Sequence, residues 1–324
     1  MMAQPSRASR AAALLRHHGA VVALAVACIV GVARYEAFAT MANASNVLRQ
    51  NSMLGLVALG MTFVILTGGI DLSVGALLAV AGVLAAMVSS HGAVVSIVAG
   101  TGAATLLGLV NGLLITKARI QPFIATLAMM IAARGAVLAA TAEQSINVNQ
   151  SAIGLTWLGR GSVGPVPAPI ALLIVAYAAG ALMLRHTRLG RGMYAIGDDA
   201  HAAELMGLRT SRILLSTYAL SGALAGLAGV VLAARLGAGQ PVAGTGWELD
   251  AIAAVVVGGT ALSGGEGGAW PTLVGVLLLG VIFNLFNLEG TISPWWQWVL
   301  RGVFLLSVVV MQGRKVRGGA SRTL

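Results

Sequence analysis

Thr67-Gly68-Gly69-Ile70-Asp71-Leu72-Ser73-Val74-Gly75 lies between two apolar runs, roughly 51–67 and 74–89. A glycine pair and a carboxylate interrupt what would otherwise be one long hydrophobic stretch. Only 9% of the 324 residues are charged and 58% are hydrophobic, with a mean hydropathy of +0.90. A soluble domain carries about 25% charged residues. A folded soluble chain could not hide this much apolar surface, so the composition alone points to a bilayer. Irregular backbone at membrane depth survives only inside protein or against a water-filled cavity. An ionisable group there is a functional candidate by default. The structural alternative for Asp71 is a cap, its carboxylate on the free N–H groups of the next helix.

Working outward, apolar segments long enough to approach the span of about 20 residues recur along the chain. They fall near 20–38, 51–67, 74–89, 93–116, 122–141, 169–185, 213–234, 249–262, 270–288 and 295–311. The expected fold is an all-α integral membrane protein of ten spans, with short or broken third and eighth segments. If both of those are re-entrant, the count is eight.

The charges favour ten. With the N-terminus in the cytoplasm, the inner loops hold Arg7, Arg10, Arg16, Lys117, Arg119, Arg185, Arg188, Arg191, Arg209, Arg212, Arg314, Lys315, Arg317 and Arg322. The outer loops hold only Arg34, Arg49, Arg160 and Arg235. That asymmetry follows the positive-inside rule. It also accounts for the net charge of +10 without a nucleic-acid partner, because the basic residues sit in short loops rather than in one stripe. The chain divides into a cytoplasmic tail (1–18), a transmembrane domain (19–312) with its longest inner loop at 185–212, and a basic cytoplasmic tail (313–324). The N-terminal basic and apolar stretch before Ala37-Phe38-Ala39 has the outline of a cleavable leader. With many spans following, a retained first helix is the simpler reading.

Other polar positions break the apolar pattern. Asp250, after Trp247-Glu248-Leu249, precedes a short apolar run and is a second candidate N-cap. Asn111, Arg134, Asn284, Asn287 and Arg301 fall within or at the edges of spans. Each could bond a polyhydroxylated substrate or pin helices together, and Arg134 lies near enough to its helix end to snorkel. Glycines such as Gly222, Gly226 and Gly229 are expected to let helices approach closely. Asp71, Asn111, Pro122 and Arg134 recur in order as Asp250, Asn284, Pro294 and Arg301, a faint inverted repeat.

The inner loop reads Gly197-Asp198-Asp199-Ala200-His201-Ala202-Ala203-Glu204-Leu205-Met206-Gly207-Leu208. Asp198 or Asp199 can cap a short helix and Gly207 can end it. Two turns are marginal alone, so such a helix is expected to dock on a cytoplasmic partner.

Several chemistries are excluded. The glycine-rich stretch Leu262 to Gly268 is no nucleotide loop, because neither lysine, Lys117 or Lys315, stands in the required context. The single cysteine, Cys28, permits no intrachain disulfide and no cysteine metal site. The histidines, His17, His18, His91, His186 and His201, fall at loops or segment ends, so no enzyme constellation or proton relay assembles. An ion-coupled secondary transporter would have only Asp71 and Asp250 to work with.

Gly60 to Gly75 resembles the signature of permease subunits of bacterial monosaccharide ABC importers, the ribose, galactose, arabinose and xylose class. Asn111-Gly112, Ile120 to Leu127, Tyr194 to Gly197, Glu248 to Ala253 and Gly258-Gly259 are similar to the same family, over about residues 38–312. Ile146-Asn147 and Gly290 to Trp296 look most like galactofuranose permeases. Asp198-Asp199 departs from the Gly or Asn that often follows Gly197 in relatives. The resemblance implies no cofactor in this chain, with ATP and Mg held by a separate ATPase subunit. It also implies a second permease copy or paralogue, an extracytoplasmic sugar-binding protein, and coupling through the 197–208 helix, where Gly197, Asp198, Asp199, Ala202, Ala203, Glu204, Met206 and Gly207 stand.

Overall fold

The computed structural model describes residues 7–149 and 152–290, together with 295, 296, 299, 302, 303 and 306. The tenth expected span, with Pro294 and Arg301, therefore lies largely outside the described residues. Six described helices are long and apolar enough to cross a membrane. In chain order the helices are α1 (Arg7–Arg34), α2 (Met41–Leu66), α3 (Val74–Met87), α4 (Ala93–Thr116), α5 (Pro122–Thr141), α6 (Ile153–Arg160), α7 (Ala168–His186), α8 (Arg188–Asp198), α9 (Ala200–Leu205), α10 (Thr210–Leu236), α11 (Trp247–Val257) and α12 (Ala269–Glu289).

The centre of the bundle is α2. Its residues from Asn51 to Leu66 are all buried, and it packs against α7, α10, α11 and α12. Such a helix carries no amphipathic stripe because every face meets protein. α3 is nearly as enclosed and lies against α4, α5 and α10. α4 and α5 sit at the periphery and bury only 22% of their apolar windows, so their apolar outer faces suit lipid.

Glycine permits a close approach between α4 and α10. A methyl on Gly222 would meet the Gly108 Cα at 3.2 Å and the backbone of Ala104 as well. That bears out the close-packing reading of the α10 glycines. Polar pins supplement it. Asn43 and Asn284 exchange amide hydrogen bonds of 3.0 and 2.8 Å between α2 and α12. The Tyr35 hydroxyl donates to Glu289, tying the α1–α2 turn to the end of α12.

Two elements are too short to cross alone. At 1.5 Å per residue, the 14 residues of α3 reach about 21 Å and the 11 of α11 about 16 Å. The hydrocarbon core is about 30 Å thick. α11 is the second half of a broken element. The chain leaves α10 at Gly237 and pairs β4 (Ala238–Gly239) antiparallel with β1 (Ile146–Asn147). It then runs back along α3. Gly239 lies beside Gly82 and Gly244 beside Gly75, a descent of seven helical residues or about 10 Å. α11 continues from there. A second two-stranded pairing, β2 (Ser162–Val163) with β3 (Val166–Pro167), and helix α6 fill the 142–168 connection.

Candidate functional site

Three groups of residues stand out. The first surrounds Asp71, in the turn between α2 and α3. Its carboxylate accepts from the Ser73 N–H at 3.0 Å, the Ser73 hydroxyl at 2.5 Å and the Ser221 hydroxyl of α10 at 2.8 Å. Asn111 of α4 donates to the Ser73 hydroxyl at 2.9 Å. Asp71, Ser73, Asn111 and Ser221 are all 0% exposed. Three donors on one carboxylate answer its burial cost, and they tie α3, α4 and α10 to one point. The Tyr218 hydroxyl packs beside Gly69 at the edge of this group. Among the described residues, neither it nor Asn111 Oδ1 has a hydrogen-bond partner.

One expectation changes here. Asp71 is not the cap of α3: Ser73 holds that position and makes no side-chain capping bond. Asp71 and Asn111 are both sealed in the bundle.

The second group gathers on the arm at 237–246. Arg134 of α5 does not snorkel. Its guanidinium donates to the Pro241 carbonyl at 2.6 Å, the Ala243 carbonyl at 2.8 Å and the Gly75 carbonyl at 3.1 Å. An arm without helical bonding leaves carbonyls to be satisfied, and a half-buried arginine needs acceptors. Each resolves the other's cost. Glu248, in the first turn of α11, lies beside Gly75 and within electrostatic reach of Arg134. Val242, Thr245 and Leu249 are exposed on the same stretch.

Asp250 is 97% buried, at 3% relative exposure. It is not the N-cap of α11, because left-handed Gly246 takes that place. Gly246 can adopt the positive φ that stops an incoming chain from continuing straight. Asn284 is occupied by Asn43, and Asn287 is exposed near the end of α12.

The third group is the 185–212 loop. Asp199 caps α9, accepting from the His201 and Ala202 N–H groups at 2.8 and 2.9 Å. Those two bonds hold its carboxyl below the usual carboxylate range. Glu204 accepts from the Thr210 hydroxyl at 2.7 Å, fixing α9 to the start of α10. Gly207 ends the element at φ +81°. Ala203 is buried beneath, while Leu205 and Met206 are 78% and 72% exposed. Asp198 closes α8 and Ala202 sits mid-helix in α9. The cap and the stop are as the sequence reading expected. The exposed Leu205–Met206 pair is an apolar point on an otherwise polar knob.

Sequence reading missed how this loop meets the bundle. Gly197, Gly68 and Gly264 converge, so that a methyl on Gly264 would meet the Gly197 Cα and the Gly68 N at 2.8 Å. A methyl on Gly197 would overlap the Leu66 carbonyl and the backbone of Gly264 and Gly265. Beside them, Gly265 N–H donates to the Leu66 carbonyl at 3.1 Å. The Tyr194 hydroxyl donates to the Gly267 carbonyl at 2.9 Å. Thus α8 bears at once on the end of α2 and on the α11–α12 connection.

Comparisons with known proteins agree with this architecture. Residues 43–309 match the family described as "Branched-chain amino acid transport system / permease component". The ribose import permease protein RbsC of Escherichia coli K12 is 41% identical over 307 residues, 94% of this chain and 95% of the relative. Its Bacillus subtilis counterpart is 42% identical over 275 residues, 84% and 85% of the two chains. The galactofuranose transporter permease protein YtfT of E. coli K12 is 38% identical over 284 residues, 86% and 82% of the two. No solved structure matches the chain. The chain belongs to this family of transport-system permease components.

Proposed function

We propose that this chain is the membrane-spanning permease of an ATP-driven monosaccharide importer of the bacterial inner membrane. The broken arm-and-α11 element carries the reading. It places exposed Thr245 on irregular backbone and half-buried Glu248 in the first turn of α11, with Arg134 behind them, where they would lie at membrane depth. Such a face is tolerated against protein or a water-filled path. It is the natural lining of a path completed by a second copy or a paralogue. Sealed Asp71 and Asn111, and Asn284 in its amide pair, serve the scaffold. Relatives named for ribose, galactofuranose and L-arabinose favour a sugar over an amino acid as cargo.

The remaining parts follow. Ten crossings arise if α1, α2, α3 with the 67–73 turn before it, α4, α5, α7, α10, the arm with α11, α12 and the 295–311 segment each traverse the bilayer. α3 and α11 then occupy matching places in two inverted halves. Both termini and the 185–212 loop face the cytoplasm. α8 and α9 receive a separate ATPase, which binds ATP and Mg. The exposed Leu205 and Met206 supply an apolar anchor for it. A binding protein delivers sugar from outside. An ion-coupled secondary transporter is the other reading. Its only acids at membrane depth are Asp71, saturated with donors, and Glu248 and Asp250 on α11.

The test is uptake into proteoliposomes containing this chain and its ATPase, with ATP inside, binding protein outside, and a panel of labelled pentoses and hexoses. Uptake of one sugar that requires all three components is the expected result. Uptake by this chain alone on an ion gradient would overturn it.

A further inference from the structure

At the end of the bundle that carries the basic loop, α7, α8 and the start of α12 enclose an open cleft of about 640 Å³. One wall is the last two turns of α7, where Ala178, Ala181 and Leu182 lead to Arg185 and His186. The opposite wall is Trp270, 52% exposed. The ring of buried Tyr177 stands behind it at a centroid distance of 6.5 Å, so the indole is backed on its inner side. Among the described residues, no carboxylate lines the cleft.

We propose that this cleft is a binding site for an anionic phospholipid, with the phosphodiester at Arg185 and the upper acyl chain along Ala178, Ala181 and Leu182. The order of chemistry along α7 matches that of such a lipid. From Ala178 to Arg185 the helix rises about 10 Å, from apolar wall to cation. A phosphodiester head on hydrocarbon has the same polarity in the same order. Indoles favour the boundary between hydrocarbon and headgroups, where Trp270 would stand. Basic clefts between spanning helices on the cytoplasmic side suit acidic headgroups. The cleft is also too large and too apolar for a free phosphate, which would leave most of the volume unfilled. Because α8 forms one side, a lipid here would brace the helix that carries the glycine junction. The proposal rests on the basic-loop end facing the inner leaflet, but its test does not require transport.

The test is native mass spectrometry of the delipidated full chain, titrated separately with phosphatidylglycerol and phosphatidylcholine. Phosphatidylglycerol should be retained preferentially. Arg185→Gln should lower its retention about fivefold, the worth of one arginine near an anionic headgroup. Arg188→Gln, on the same loop outside the cleft, should change it little. Ala181→Trp should expel the lipid by filling the apolar wall. Equal retention of the two lipids would overturn the proposal. So would equal losses from Arg185→Gln and Arg188→Gln, which would mean a diffuse basic belt. A third arm uses Ala181→Cys in the assembled transporter. Cross-linking of that cysteine to the ATPase subunit, with the lipid adduct gone, would make the cleft a protein contact and sink the lipid assignment.

Discussion

Gly197→Ala probes the junction where α8 meets the bundle. A methyl there would meet only backbone: the Leu66 carbonyl, the Gly265 N and, at 3.0 Å, the Gly264 carbonyl carbon. No side chain can swing aside, so a segment must move. Overpacking of this kind costs about 1–3 kcal/mol. Parting the Gly265–Leu66 hydrogen bond adds about 0.5–1.5 kcal/mol. Alanine in the last turn of a helix returns about 0.5–1 kcal/mol. The net is about 0.5–4 kcal/mol, centred near 2, and is set against one contact rather than the whole fold. At about 2 kcal/mol, the docked arrangement of α8 becomes about thirtyfold less favoured relative to a parted one.

If α8 conveys ATPase movement to α2 and the α11–α12 connection, the variant should fold and bind the ATPase. It should hydrolyse ATP yet import sugar poorly. The assay is the ratio of sugar taken up to ATP hydrolysed in proteoliposomes, with Gly102→Ala as control. Gly102 has open space around it, so that variant should behave as wild type. A folded Gly197→Ala transporter with the wild-type ratio would refute the coupling role of the junction.

Asp71→Ala should lower thermal stability strongly in detergent, because three donors lose their shared acceptor and a buried donor left unsatisfied costs about 1–3 kcal/mol. The protein that does fold should retain uptake per molecule, and a folded but transport-dead variant would return Asp71 to the pathway. Asn284→Ala should cost about 1 kcal/mol, two membrane hydrogen bonds at roughly 0.6 kcal/mol apiece, and an Asn43–Asn284 double-mutant cycle should show that the two losses are not additive. Asp199 titrates below its ordinary value of 3.8 because it accepts two backbone N–H groups. Its contribution to α9 is thus complete above that ordinary value and is lost as pH falls through the lower folded value. Hydrogen exchange at Ala202 and Ala203 should rise in that acid window in the wild type. In Asp199→Asn, which caps without titrating, exchange should be insensitive to it. Exchange that rises equally in both would show that Asp199 is not the cause.

The sequence made the bundle legible because apolar runs and charge placement are one-dimensional signals. The expected segments near 93–116 and 122–141 correspond to α4 and α5, end to end. The α9 cap and stop were legible for the same reason, since Asp199 and Gly207 act within a few residues of themselves. Positions whose partners lie far along the chain were not. Nothing near Asp71 reveals that Ser221, 150 residues away, will donate to it. A carboxylate just ahead of an apolar run suggested a cap, and that pattern could not distinguish a helix terminus from a three-helix lock. Asp250 misled in the same way, because Gly246, four residues earlier, ends the arm and starts α11.

Arg134 shows what the mistaken readings share. Read singly, an arginine seven residues from the end of its helix snorkels, and the glycine-poor stretch Pro241-Val242-Ala243 is an outer loop. Read together, each is the other's reason for lying at depth. The guanidinium supplies three donors to carbonyls that no helix satisfies, and those carbonyls allow the cation to turn inward. Arg134→Ala would leave the Pro241, Ala243 and Gly75 carbonyls unpaired and cost about 3–5 kcal/mol if all three stayed buried. Part of that cost should instead be relieved by the arm, which is free to lift towards the exposed face bearing Val242 and Thr245. Loss should therefore appear first in the position of the arm and only then in the stability of the bundle. A cysteine placed at Thr245 should react faster with a water-soluble thiol reagent in Arg134→Ala than in the parent, at temperatures where α2 and α10 remain protected from exchange. An unchanged rate would mean that the arm is held by its neighbours on α3 and that Arg134 is not its clasp.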